Sequence, residues 1–421
     1  MRKEAFRNNR EIHECANREA ANPEAAGKEC PGVRVLVAGA GTGGHLFPGI
    51  AVIDRLDVLA GGVRAMFVTT GRPIEDTVLG KRHFETTRIS AAGMKGASVF
   101  GKLRSAVILV SGIFESRAVL RRFRPHVVLG MGGYSSAPVV MAAWMMRIPR
   151  VIHEQNRIAG VTNRVLGRFA SRVFVSFPDT DIGGVKNKTI FTGYPVRPEI
   201  GPKDDPPRSG GDDRADEKGK PLTVLVLGGS QGAAAVNTAV TGALEYLDDT
   251  GGFRFIHQSG AADEERVREA YAGKKVDAVV SDFFTDVASL YREADVAVCR
   301  AGAGTLAELA AARLPAVLVP YPYAADDHQA ANAEAMEASG GAIMVRESAL
   351  SAENLARRLT DYRSRPEELA RMRAAIGHNA PVSDAADTIA RQILLLCGIS
   401  PQAAAGGAGD RRTGGKGMTS S

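Results

Sequence analysis

Twice in this chain an aliphatic strand runs into a cluster of glycines and leaves it as a helix, and this repeat limits the possible folds more than any other feature. The first copy is Val33 to Gly49, VRVLVAGAGTGGHLFPG; the second opens at Leu222 with LTVLVL and continues through Gly228-Gly229-Ser230-Gln231-Gly232 into an alanine-rich helix. A short run of β-branched and aliphatic residues ending in glycine reads as a buried strand, and Leu46 to Leu59 has the spacing of a helix packed on a sheet. Two openings of one design predict two Rossmann-like α/β domains facing a cleft. The glycine turns leave backbone amides free at helix N-termini, a setting that suits an anion. Gly39-Ala40-Gly41-Thr42-Gly43-Gly44 does not follow the spacing of a dinucleotide fingerprint. The next strand, Ala65 to Thr69, also ends in threonine rather than a ribose-binding acid.

At 421 residues, 44% of them hydrophobic, the chain exceeds the usual size of one core, so two domains are expected. Residues 1–31 read as a flexible N-terminal extension and 398–421 as a flexible tail rich in Gly, Ala and Arg. Residues 199–220, dense in charge, Gly and Pro, read as a charged surface linker. The net charge of +6 suits an anionic partner. Cys15, Cys30, Cys299 and Cys397 show neither paired nor metal-ligand spacing, which argues for a reducing compartment and against a metal site. No apolar run is long enough to cross a bilayer, and the N-terminus lacks the core of a secretory signal.

Further strands are expected at Thr86 to Ile89, His126 to Gly130, Arg150 to His153, Ser171 to Val175 and Thr189 to Phe191 in the first half. In the second half they are expected at Phe253 to Gln258, Val276 to Val280, Ala294 to Cys299 and Ala316 to Val319. Polar residues collect where these strands end. Gly133 and Tyr134 follow the strand at Gly130. His153, Glu154, Gln155 and Asn156 stand four in a row after the next, more than capping and turn chemistry explains. Pro195 fixes the exit from the first domain and leaves Arg197 free to meet an anion. In the second half Glu308 lies early in a helix, within reach of ribose hydroxyls; a carboxylate favoured by the helix dipole is the plainer explanation. Between Met94 and Arg104, Phe100 and Leu103 lie among Lys95, Lys102 and Arg104. This pattern fits a packed helix with a solvated basic side or, more sharply, an anionic membrane surface.

The motifs GAGTGGHLFPG, GMGGYSSAPV, HEQNRIAGVTNR, TGYPVRPE, LGGSQGA, CRAGAGTLAEL and PYPYAADDHQAANA, in this order, resemble the bacterial peptidoglycan N-acetylglucosaminyltransferases, the MurG family. The resemblance runs from about Val33 to Leu394. It implies the GT-B glycosyltransferase fold, with 32–198 plus the returning helix 382–397 as an acceptor and membrane-facing domain, and 221–381 as the UDP-sugar donor domain. The implied reaction moves N-acetylglucosamine from UDP-N-acetylglucosamine to the C4 hydroxyl of muramic acid in undecaprenyl-pyrophosphoryl-MurNAc-pentapeptide (lipid I). It inverts to a β-1,4 link and gives lipid II.

Carried over residue by residue, His45 and Glu154 are the catalytic candidates, with His45 as base and Glu154 either orienting it or acting itself. Thr42, Gly43, Gly44, Gly133, Tyr134 and Asn156 fall on the acceptor side. Arg197, Ser230 and Gln231 meet the diphosphate, Glu308 the ribose, and His328 and Gln329 the sugar. No cofactor and no metal are implied. The expected partners are both substrates, an anionic membrane surface and other cell-wall synthesis enzymes, not nucleic acid, and the expected place is the cytoplasmic face of the plasma membrane, held peripherally. Three positions depart from the family pattern: His328 stands where some members have glutamine, Tyr194 replaces a common asparagine, and Arg313 stands where glycine usually precedes Leu-Pro. The last two are expected to lie outside the contacts. A different UDP-sugar-dependent lipid glycosyltransferase, a UDP-sugar epimerase of the same fold, or a nucleotide-binding protein without chemistry are the alternatives.

Overall fold

The computed structural model describes residues 32–39, 41, 43–91, 99–201, 220–229, 232–247, 250–274, 276–379 and 384–400. The N-terminal extension, most of the charged linker and the C-terminal tail lie outside them, as do Thr42, Ser230 and Gln231. Lys95 lies outside as well, as do the side chains of Phe100, Lys102 and Leu103.

β1 (Val33–Ala38) starts the first sheet in its middle. From there α1 (Gly43–Ala60), β2 (Val63–Thr69), α2 (Pro73–Lys81) and β3 (Glu85–Arg88) build outward. The long α3 (Val99–Phe123) then carries the chain to the other side of β1, where β4 (Val127–Gly130) pairs with it, Val35 opposite Val127. α4 (Ser136–Met145), β5 (Arg150–Glu154), α5 (Val161–Leu166), β6 (Arg172–Val175) and β7 (Thr189–Phe191) complete a parallel sheet of order 3-2-1-4-5-6-7. The reversal at β1 and β4 opens a crevice beyond the carboxyl ends of those strands, because the helices that follow them leave on opposite faces.

The second sheet repeats the plan with β8 (Leu222–Leu227), α6 (Ala234–Ala243), β9 (Phe253–Gln258), α7 (Glu264–Lys274), β10 (Asp277–Ser281) and α8 (Val287–Glu293) on one side. On the other come β11 (Val296–Cys299), α9 (Ala303–Ala312), β12 (Ala316–Leu318), α10 (His328–Ala338) and β13 (Ala342–Met344), giving the order 10-9-8-11-12-13. α11 (Ala352–Ser364) and α12 (Pro366–Asn379) cover this domain, with Leu355, Leu359 and Tyr362 of α11 in its core. Glu199 and Ile200, read from the sequence as the start of the linker, belong to the packed structure: Ile200 is buried in the second domain's core, and Arg292 Nη1 donates to the Glu199 carbonyl oxygen (3.2 Å).

The last helix, α13 (Ala385–Leu396), does not stay with the domain that precedes it. Ile389, Ile393 and Leu394 are fully buried among Val35 and Val37 of β1 and Leu56 of α1. Burial of this kind stabilises by about 1.5 to 3 kcal/mol per large aliphatic side chain, enough to fix the returning helix. Arg55 Nη2 pairs with Asp387 Oδ1 at 2.5 Å on its polar side, and Arg391 shares the same carboxylate. Arg313 closes α9 with φ 52°, ψ 39°. That left-handed conformation explains why glycine is favoured there, since a side chain costs about 1 to 2 kcal/mol.

Candidate active site

The two switch points face each other across one cleft of about 690 Å³, and its lining includes His45, Asn156, Tyr194, Arg197, Glu308 and His328. Behind His45, on the first-domain side, two glycine turns meet. Gly39 takes φ +116°, and a Cβ there would stand 2.5 Å from the Gly132 carbonyl oxygen, so the turns after β1 and β4 touch backbone to backbone. Only glycine fits such a contact. His45 lies in the first turn of α1, with its ring carbons 3.6 and 3.8 Å from where Cβ atoms on Gly132 and Gly133 would be. Burial, with the charges of Arg72 and His328 adding to it, pushes its pKa down to about 4. The helix N-terminus also disfavours a cation, so the imidazole is neutral at pH 7. Tyr134, half-exposed, follows Gly133 in the same turn.

The polar row after β5 divides its work. His153, fully buried, faces the Gly193 carbonyl oxygen through Nε2 (3.2 Å) and so ties down the segment that crosses between domains. Glu154 is committed to its own loop. Its Oε1 accepts from Asn156 N (2.9 Å), and its Oε2 accepts from Gly160 N (3.0 Å) and Asn163 Nδ2 (2.9 Å). Gln155 Nε2 donates to the Met131 carbonyl oxygen (2.7 Å) and holds the neighbouring glycine turn. Asn156 alone of the four reaches the second domain, its Oδ1 accepting from Asn332 Nδ2 (3.1 Å).

Arg197 is not free. Its Nη2 donates to Glu308 Oε1 (2.7 Å) and its guanidinium lies over the Phe47 ring, 4.4 Å from the centroid, which corrects the expectation of an arginine left open for an anion. The other oxygen of Glu308 accepts from Tyr291 Oη (2.9 Å). Each carboxylate oxygen still has a lone pair, so Glu308 keeps the capacity to accept two hydroxyls. His328 opens α10, with Nδ1 donating to the Ala325 carbonyl oxygen (2.7 Å), while Gln329 Oε1 accepts from Tyr321 N (2.9 Å). Before them, Asp326 and Asp327 both have positive φ, 57° and 52°, and are held by Arg164 of the first domain and Arg346 of the second. Backbone strain of about 1 to 3 kcal/mol per residue persists only where neighbours enforce it.

Tyr194, expected outside the contacts, is in the middle of them. Pro48 has no N–H, so the Gly44 carbonyl oxygen one turn earlier in α1 lacks its helical donor. Tyr194 Oη supplies one at 2.9 Å. A Cβ on Gly304, in the first turn of α9, would stand 2.7 Å from that hydroxyl and 3.9 Å from Gly44 Cα. The N-terminal turns of α1 and α9 thus meet around one phenol oxygen. Among the described residues no group of three His, Cys, Asp or Glu side chains is placed to hold a metal ion.

Residues 35–175 match the glycosyltransferase family 28 N-terminal domain, and residues 223–389 match the family 28 C-terminal domain. The chain belongs to glycosyltransferase family 28. A relative from Geobacter sp. (strain M21), named UDP-N-acetylglucosamine--N-acetylmuramyl-(pentapeptide) pyrophosphoryl-undecaprenol N-acetylglucosamine transferase, is 43% identical over 81% of this chain and 90% of its own length. One of the same name from Myxococcus xanthus is 42% identical over 82% of this chain and 88% of its own. Among solved structures, Acinetobacter baumannii MurG matches 86% of this chain and 99% of its own, with TM-score 0.66 and 30% identity. A putative UDP-N-acetylglucosamine 2-epimerase from Listeria monocytogenes shares the fold at 13% identity, with TM-score 0.59. The two facing parallel-sheet domains are the GT-B fold.

Sequence reasoning missed several residues of this family 28 cleft. Phe283 and Phe284, after β10, form one wall, with Phe284 N donating to Gln258 Oε1 (3.1 Å). An aromatic pair directly after an expected strand was the available signal. Asn332 carried no signal beyond its place in DDHQAANA.

Proposed function

We propose that this chain is an inverting transferase that moves N-acetylglucosamine from UDP-N-acetylglucosamine to the C4 hydroxyl of muramic acid in lipid I, producing lipid II. The observation that carries this reading is the 43% identity to the Geobacter transferase across both domains. The donor occupies the second domain, with its flat base against the Phe283 wall, its ribose hydroxyls on Glu308, its diphosphate at the helix N-termini near Arg197, and its sugar toward His328 and Gln329. The acceptor approaches from the first domain, past Gly43, Gly44, Gly133, Tyr134 and Asn156. His45, neutral and at the cleft, takes the proton of the attacking hydroxyl as UDP leaves from the opposite face. Glu154, with both oxygens spent on its loop, is a positioning residue. A donor panel with purified lipid I tests this. UDP-N-acetylglucosamine should give lipid II and UDP in equal amounts; formation of an epimeric sugar without acceptor would replace the reading with the epimerase.

The acceptor's polyprenyl chain calls for a membrane, and one face of the first domain suits it. Val107, Val110 and Phe114 of α3 are exposed on one stripe, with Arg104 and Arg121 exposed on the same arc of the helix, and Trp144 and Met145 of α4 are exposed as well. No helix among the described residues is long and apolar enough to cross a bilayer. Apolar side chains rimmed by arginine fit peripheral docking on anionic lipid at the cytoplasmic face, where lipid I would be met. Phe114→Ser should weaken sedimentation with anionic vesicles by about 1.5 to 3 kcal/mol. Arg121→Gln should weaken it by about 1 kcal/mol, an effect that shrinks as salt rises. Equal sedimentation of both variants and the parent would refute this surface.

A further inference from the structure

Through its amide, Asn332 reaches both the acceptor loop of the first domain and the donor-side turn before α9. It lies four residues after His328 and three after Gln329 in α10, on the same helix face, and is fully buried. Its Oδ1 accepts from Arg157 N (3.0 Å), and its Nδ2 donates to Asn156 Oδ1 (3.1 Å) and to the Ala301 carbonyl oxygen (3.4 Å). A backbone N–H can only donate, so the Arg157 contact fixes which end of the amide is oxygen and aims the nitrogen at Asn156. Asn156 is pinned from its other end too, its Nδ2 donating to Glu154 Oε1 (3.3 Å). Ala301 lies just before α9, the helix that carries Glu308.

We propose that Asn332 is a positioning residue that sets the spacing between the donor and acceptor halves, acting through Asn156. The proposal rests on the transferase reading above. The donor side reaches it through α10 and the turn before α9, and the acceptor side through the loop after β5. Without the amide, Asn156 loses its link to the second domain and Arg157 keeps only the long bond from Nη1 to the Ala331 carbonyl oxygen (3.5 Å), so the acceptor loop can drift relative to a donor site that is otherwise intact. A misplacement of about 1 Å costs on the order of 100-fold in rate.

The test is a double-substitution cycle read by transfer kinetics and by UDP calorimetry. Asn332→Ala should lower kcat by about 100-fold while UDP affinity stays within about three-fold, because the contacts to nucleotide are elsewhere. Asn156→Ala should lower kcat as well, and the double variant should be no slower than the slower single one, since both remove one linkage. Asn332→Asp, which keeps an oxygen for Arg157 N but has no N–H for Asn156 Oδ1, runs alongside and should lose rate like the alanine variant. Multiplying losses in the double variant, a matching fall in UDP affinity, or near-parental kcat would each overturn the proposal. So would failure of both Asn332 variants to fold, which would make this a folding residue. If the parent chain itself transfers nothing to lipid I, the functional reading fails instead.

Discussion

His45→Ala should lower kcat for transfer by about 10² to 10⁴-fold and leave UDP affinity unchanged, the range expected when a general base is lost. The group sits in the cleft, in the first turn of α1, where Tyr194 Oη secures the Gly44 carbonyl oxygen next to it. With its pKa pushed down to about 4, it is unprotonated over the whole physiological range and ready to accept. The same shift makes it a weak base, so proton transfer must run late, as the sugar–phosphate bond breaks and the hydroxyl becomes acidic. The parent's kcat should therefore rise with pH through about 4 and be level from there to neutrality. A variant that keeps at least a third of the parental kcat, or a parental rate that still climbs between pH 6 and 7 as a free imidazole titrates, would remove His45 from this role.

Acid should destabilise both domains well before most carboxylates titrate. Burial pushes His126 and His153 of the first domain down to about 4 and His257 of the second to about 3. Each is held as a neutral ring: His126 Nδ1 accepts from Arg34 N (2.9 Å), His153 meets the Gly193 carbonyl oxygen, and His257 lies between Tyr271 Oη and Asn237 Oδ1 (both 3.0 Å). In the unfolded chain each takes a proton near pH 6.5. The unfolded state then binds more protons than the folded one, so stability is fully present above about pH 6.5 and is lost as the pH falls toward 4. One pKa unit corresponds to about 1.4 kcal/mol, so on the order of 2 to 3 kcal/mol per histidine is lost by pH 4.5, a large part of a domain's total stability. Urea unfolding at pH 7.0 and 4.5 measures this. His257→Gln should be less stable at neutral pH but flatter with acid; a parent equally stable at both pH values would contradict the burial argument.

Much of the architecture was legible because parallel strands buried on both faces are written as unbroken aliphatic runs. β1 and β8 are such runs and fall on the residues expected; β9 and the edge strand β7, less purely aliphatic, fall on theirs too. β13 was not foreseen: Ala342–Met344 is three residues long and follows two glycines, too short for any periodicity. The helix α2 was missed for a similar reason, since Pro73–Lys81 has a weak apolar face and is anchored by Glu75, whose Oε2 accepts from Arg72 N (2.8 Å) and Thr70 N (2.9 Å). In the cleft, residue types at strand ends were readable and their partners were not. That Arg197 closes on Glu308, that Tyr194 takes the bond Pro48 leaves open, and that Asn332 spans the domains all depend on chain segments more than a hundred residues apart in sequence.

The contact of Gly39 with the Gly132 carbonyl oxygen bears on how this enzyme can change over evolutionary time. A contact made of main chain has no side chain to exchange, and any Cβ at Gly39 would push apart the two turns, one of which leads into His45. Variation in acceptor preference is thereby left to side chains outside that contact, such as the exposed Tyr134. Lineages that adopt a new acceptor should differ from this chain at such side chains and keep the two glycines, so the inheritance of the site is divided between a fixed backbone contact and a mutable rim.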